Sequence, residues 1–214
     1  MKSRTFITLI ACCRTAHAES PNKVSDHTAT KKTEPPCCAE HPKLAATEIS
    51  DTSIYQIDSS WNNHLGSTVK LASLAGKIQV VTMGYSKCSF ACPRLMADMK
   101  AVELGLPEAL RKKVGFNFFS VDTTDTPERL KAFGTSHMVD FSRWNFFTSN
   151  TATIQELAVV LGTQYRRIND ADFAHSNLIT VLNEKGEIIH RQEGLAGPAE
   201  PIIKAIVDAS ITDK

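Results

Sequence analysis

Polar residues without a clean period run from Glu19 to Thr52, and compact apolar patterning begins near Ile54. Ile78 to Met83 is uncharged and rich in β-branched residues, the pattern of a strand buried on both faces. Leu95, Met99 and Val102 then recur at helical spacing. Pro93 suits the first position of that helix, and Gly105 its stop. Phe116 to Val121 predicts a second strand. Thr126-Pro127 predicts a capped helix that ends near Phe133-Gly134. Ile154, Leu157, Ala158 and Leu161 share one helical face, closed by Gly162. Leu178 to Leu182 predicts a third strand, Asn183 to Gly186 a turn, and Glu187 to His190 the return strand of a hairpin. Pro198 begins a final helix that buries Ile202, Ile203 and Ile206.

That order is strand, helix, strand, helices, strand, strand, helix. It predicts an α/β domain over residues 54–214, with a thioredoxin-like fold and a central mixed sheet flanked by helices. The handedness of crossovers makes the first two strands parallel. In this plan the third strand runs antiparallel beside the first. Its start then lies next to the first strand's end, which puts His175 beside Cys88 and Cys92.

Composition narrows the class. Hydrophobic content of 42% and charged content of 22% suit a soluble globular protein. A formal net charge of +1 gives no reason to expect a nucleic-acid partner. No apolar run approaches the roughly 18 residues of a membrane span. Residues 1–18 read as an export signal: Lys2 and Arg4, a short apolar stretch from Phe6 to Ala11, then Ala16-His17-Ala18. Leu9-Ile10-Ala11-Cys12 also resembles a lipobox, which would lipidate Cys12 and anchor the chain to a membrane. Either signal implies a periplasmic or cell-envelope location; the alternative is a cytosolic tail. Residues 19–53 read as a flexible tether.

The six cysteines fall into three pairs, Cys12/Cys13, Cys37/Cys38 and Cys88/Cys92. A chain long enough to build a core does not need a disulfide framework, so paired cysteines point to metal or redox chemistry. Cys88 and Cys92 sit at a strand-to-helix turn. Cys92 falls where an N-cap would be, and the positive end of the helix would stabilise a thiolate there. Three intervening residues leave slack to close a disulfide or to open around a soft ion. Thiolate sulfur selects Cu(I), zinc or iron–sulfur, and imidazole suits copper and zinc. Against this stands a plain disulfide staple for the pair and a solvent-facing role for His175. Met83, Met96 and Met99 have spacing that favours core packing over ligation. Cys37-Cys38-Ala39-Glu40-His41 is a second candidate for soft-ion handling, and an incidental reactive pair is its alternative. His17, His27, His64 and His137 receive no role.

Three ordered motifs then resemble the Sco/SenC family of copper-delivery proteins. They are Cys88-Ser89-Phe90-Ala91-Cys92-Pro93, Ser120-Val121-Asp122-Thr123-Thr124-Asp125-Thr126-Pro127-Glu128, and Ala174-His175-Ser176. Phe141-Ser142-Arg143-Trp144 resembles the family's segment before its next helix. The resemblance covers Ile54 to about Ala209. It implies copper held by Cys88, Cys92 and His175, with Cys88 and Cys92 also a redox-active pair. It implies assembly of the binuclear copper centre of cytochrome c oxidase, by carrying copper, reducing cysteines, or both. The oxidase subunit carrying that centre is then a partner, alongside other copper carriers or thiol reductants. Asp122 would orient the site, or simply serve a strand-end turn. Two departures stand out: Ser89 where the family often has proline, and Ala174 where it usually has aspartate. The competing functions are an exported thiol–disulfide oxidoreductase without a stable metal and a metal-free redox-regulated binding module.

Overall fold

The computed structural model describes residues 50–170 and 172–212. The expected export segment lies outside them, as does the tether up to residue 49, with Cys12, Cys13, Cys37, Cys38 and His41. In chain order the elements are β1 (Ser60–Asn63), β2 (Thr68–Lys70), β3 (Ile78–Gly84), α1 (Ala91–Gly105), α2 (Glu108–Arg111), β4 (Val114–Ser120) and α3 (Pro127–Ser136). They continue with β5 (Trp144–Thr148), α4 (Thr151–Leu161), β6 (Tyr165–Arg167), β7 (Phe173–His175), β8 (Leu178–Leu182), β9 (Ile188–Glu193) and α5 (Glu200–Thr212). Among the described residues no helix is long and apolar enough to cross a membrane.

Seven strands form one mixed sheet in the order β2-β1-β5-β4-β3-β8-β9. β3 and β4 are parallel, as are β4 and β5, while β8 runs antiparallel to β3. This is the thioredoxin-like arrangement the sequence predicts, with Thr82 of β3 paired to Ile179 near the start of β8. β3, β4 and β8 are buried along their whole length. Their apolar, β-branched and aromatic residues suit strands covered on both faces.

Alternation along β4 and β5 divides the core. Phe116 stacks on Trp144, and Phe118 meets Phe146 and, from α3, Phe133. On the opposite face Phe119 stacks on Phe147 and meets the edge of Trp61. Each such ring, fully buried, contributes about 1.5–3 kcal/mol of transfer free energy. α1 and α5 pack together and against β3. Leu95, Met96, Met99, Val102, Ile202 and Ile206 fill the layer between them and the sheet. Met83, Met96 and Met99 are thus core residues.

Several boundaries differ from expectation. α1 begins at Ala91 with Phe90 as its N-cap, so Pro93 is its third residue and Cys92 its second. A proline is tolerated there for the same reason as at the first position: the first four helical N–H groups have no intrahelical partner. α3 continues through Gly134 to Ser136, where a lone glycine costs only about 1 kcal/mol. α5 starts at Glu200 rather than Pro198, with Pro201 in its first turn. α4 ends as expected, because Gly162 adopts the left-handed conformation at φ 79°. The pattern did not anticipate β1, β2, β5 or the separate β6–β7 hairpin. All are short, and Asn145 interrupts the apolar run of β5.

Candidate metal centre

Three elements meet at the C-terminal end of β3. The loop after β3 carries Cys88, the first turn of α1 carries Cys92, and the end of β7 carries His175. One donor atom from each lies within 4.8 Å of the other two. Cys92 Sγ is 3.5 Å from His175 Nε2. Both thiols are free; Cys92 is fully buried, and Cys88 and His175 are half-buried. Among the described residues this is the one cluster of three such groups with a metal-holding geometry.

Local structure explains the approach of each atom. Gly84 ends β3 under Cys92: a Cβ built on it would lie 2.6 Å from Cys92 Sγ and 3.0 Å from the Phe118 ring. Only a residue without a side chain leaves the sulfur its place. The Tyr85 N–H then donates to Cys92 Sγ at 3.4 Å. The Cys92 N–H, one of the helix's unpartnered amides, donates to Cys88 Sγ at 3.3 Å. His175 Nδ1 sits 3.0 Å from the Ser176 carbonyl oxygen, which can only accept. Nδ1 therefore carries a proton, and Nε2 faces the sulfurs.

These bonds decide which cysteine is ionised, and the answer reverses the expectation. Hydrogen bonds from the Cys92 thiol and then from the Cys92 and Phe90 amides bring the Cys88 thiol down to about 4, against the opposing effect of burial. Cys92, donating to Cys88 and buried, is pushed up. The helix N-terminus thus stabilises a thiolate on Cys88, because Cys92 lies inside the first turn and its amide points back at the loop.

The loop is tied down from β4. Asp125 is buried and accepts from the Ser86 N–H at 2.9 Å, the Ser86 hydroxyl at 2.5 Å and the Ser120 hydroxyl at 2.6 Å. Asp122 is fully buried and accepts from the Thr124 N–H at 2.9 Å. Its carboxylate also faces Lys87 at 3.7 Å and Arg167 at 3.8 Å, linking the cysteine loop to the β6–β7 hairpin. On the other side Tyr85 donates to Asp172, and its ring meets His175 edge-on at 5.8 Å. Sequence reasoning missed Tyr85, Asp125, Arg167 and Asp172. Asp125 lies inside a motif that was noted, but nothing in the string pairs it with Ser86.

Among the described residues, His64 and His137 lie away from this corner. His64 is buried, stacked on Phe141 at 4.7 Å, and accepts from the Phe146 N–H at 3.4 Å. His137 closes α3, with Nδ1 2.8 Å from the Phe133 carbonyl. The metal-capable corner is open on one side, where Phe90 is 81% exposed beside the half-buried Cys88.

The family profile described as SCO1/SenC matches residues 49–210. Curated protein sequences give no match. A SCO1/SenC family lipoprotein from Bacillus anthracis superposes with a TM-score of 0.65 at 24% identity, over 71% of this chain and 92% of that one. Arabidopsis thaliana ScoI with copper bound gives 0.62 at 17% identity, over 72% and 96%. BsSco, described as a cytochrome c oxidase assembly protein with a disulfide switch, gives 0.63 at 25% identity, over 72% and 91%. The fold is common to all three, and the profile spans most of the chain from before the first described helical turn into α5. By that match the chain belongs to the SCO1/SenC family.

Proposed function

We propose that this protein binds one copper ion through Cys88, Cys92 and His175 and serves assembly of the binuclear copper centre of cytochrome c oxidase. The observation that carries this is the convergence of two sulfurs and one imidazole nitrogen within 4.8 Å. Two thiolates and a neutral imidazole are a soft, copper-preferring set. With Cu(II) the group is electrically neutral; with Cu(I) it carries one negative charge, which the first-turn amides of α1 offset. Three donors and an open side suit an ion that is handed on, where a closed four-ligand zinc site would retain it. Copper-bound structures of Arabidopsis thaliana ScoI and Bradyrhizobium japonicum ScoI share the fold. The acceptor is the oxidase subunit that carries the centre, and a second copper carrier supplies the ion. Residues 1–18 export the chain to the cell envelope, by cleavage after Ala18 or, as the alternative, by lipidation at Cys12.

The test is a titration of the reduced full chain with Cu(I) and Cu(II), with Cys12, Cys13, Cys37 and Cys38 replaced by serine. A sulfur-to-copper charge-transfer band should appear with Cu(II) and disappear in Cys88→Ser and Cys92→Ser. It should shift in His175→Ala. Copper uptake no greater than that of a variant lacking both cysteines would sink the assignment.

One observation favours a second activity at the same place. Cys88 is an accessible thiolate beside a buried, protonated Cys92, the polarity of an attacking and a resolving thiol. In reduction of an oxidase disulfide, Cys88 would form a mixed disulfide and release one partner thiolate. Cys92, losing its proton, would then attack Cys88. That step leaves two partner thiols and a Cys88–Cys92 disulfide, which a thiol reductant would reset. A reductase assay on Cys92→Ser should trap the mixed disulfide.

A further inference from the structure

The β6–β7 hairpin that carries His175 belongs to no larger sheet: its two strands pair with each other and with none of the seven central strands. His175 sits at the end of β7, opposite Tyr165. Strand pairing ties His175 only to β6, and the ring itself is bonded locally, Nδ1 to the Ser176 carbonyl, so neither fixes the hairpin against the cysteine loop. The structure offers a contact that runs from the cysteine side. Tyr85, three residues before Cys88, donates its hydroxyl to Asp172 Oδ1, just before β7. The same oxygen accepts from the Phe173 N–H at 3.0 Å, which fixes the carboxylate at the strand's first residue. The Tyr85 ring packs on Phe173 at 5.2 Å and meets His175 edge-on at 5.8 Å and 89°. Its backbone N–H meanwhile bonds Cys92 Sγ. One residue therefore touches both the buried sulfur and the hairpin.

We propose that Tyr85, through its bond to Asp172, is the positioning residue that holds His175 Nε2 against the two cysteine sulfurs. The role rests on the copper-site assignment for its consequence, though not for its geometry. Ala174, next to His175, has no group that could steer the ring. Asp172, two residues earlier, does it at one remove by holding the hairpin to Tyr85. The Arg167–Asp122 ion pair and the Arg167 guanidinium over Phe173 at 4.7 Å brace the hairpin without contacting the His175 ring.

The experiment uses the full chain with Cys12, Cys13, Cys37 and Cys38 as serine, and compares Tyr85→Phe and Asp172→Ala with the parent. Tyr85→Phe keeps the ring and deletes one hydroxyl, so folding is preserved. In reduced, metal-free protein, nitrogen NMR should show the His175 Nε2 resonance, which lies against the Cys92 sulfur in the parent, shifted in both variants as the ring leaves the sulfurs. With Cu(II), affinity should fall about fivefold to tenfold, as expected for loss of one hydrogen bond, and the charge-transfer band should move toward that of His175→Ala. An unchanged imidazole signal in both variants overturns the positioning role. So does a parent-like copper band and affinity in both, provided His175→Ala alters them. If His175→Ala binds copper as the parent does, the ligand assignment fails on its own, and the imidazole signal alone decides the role of Tyr85.

Discussion

At the scale of single residues, the site is set by where N–H groups point. The amide of Cys92 bonds Cys88, so the more exposed cysteine is the ionised one. Iodoacetamide should accordingly label Cys88 more than about tenfold faster than Cys92 in the reduced protein, with labelling persisting to about pH 6. Peptide mapping by mass spectrometry reads the ratio, and equal rates would contradict the assignment. Gly84 is the second such position. Gly84→Ala puts a methyl group where Cys92 Sγ and Phe118 already are. The strand end must move, at a cost of about 1–3 kcal/mol in urea unfolding, and copper affinity should fall with it.

At the scale of elements, short polar contacts join pieces far apart in sequence. Glu103 of α1 accepts from Arg143 at 2.8 Å and from the Trp144 ring N–H at 2.9 Å, pinning the start of β5 to the helix. His64, after β1, is held among the rings of Phe141 and Phe146 and uses its unprotonated Nδ1 as an acceptor. Burial, and secondarily the Lys131 charge, lower its proton affinity below the ordinary imidazole value. The unfolded chain then binds the proton more readily than the folded one. Stability contributed by neutral His64 is full above the unfolded value of about 6.5 and is lost as pH falls from there through the folded value. The urea midpoint should drop between about pH 7 and about pH 5, and drop less in His64→Gln. An identical pH slope in the variant would remove His64 from the account.

At the scale of the whole molecule, copper binding should act on folding, because the proposed ligands come from β7, α1 and the loop after β3. The unfolded chain does not hold these groups together. Copper at about 100 times its dissociation constant should stabilise the reduced protein by about 2.7 kcal/mol, and a chelator should reverse the gain. Thermal unfolding with and without copper measures this, and His175→Ala and Cys88→Ser should reduce the shift.

The same three scales separate what the string of residues determined from what folding decided. Local pattern was enough for β3, α1, β4, α4, β8 and the β8–β9 hairpin, because each has an uninterrupted apolar face and a turn or cap residue at its end. It also brought out Cys88 and Cys92 by their spacing at a strand-to-helix turn, and His175 by its place just before the third strand of the expected fold. It did not show β1, β2 or β5, whose few residues carry too little periodicity to register. It placed Cys92 at the helix cap, and so misassigned the thiolate, because one residue of boundary error changes which sulfur an amide faces. Above all it could not pair Asp125 with Ser86, Arg167 with Asp122, or Tyr85 with Asp172. Those groups are ordinary along the chain and lie 39, 45 and 87 positions apart. Identity and spacing determined which atoms can bind a soft ion; only the tertiary fold decided which sulfur is charged and what holds the imidazole to it, because hydrogen bonds depend on distances that sequence separation does not encode.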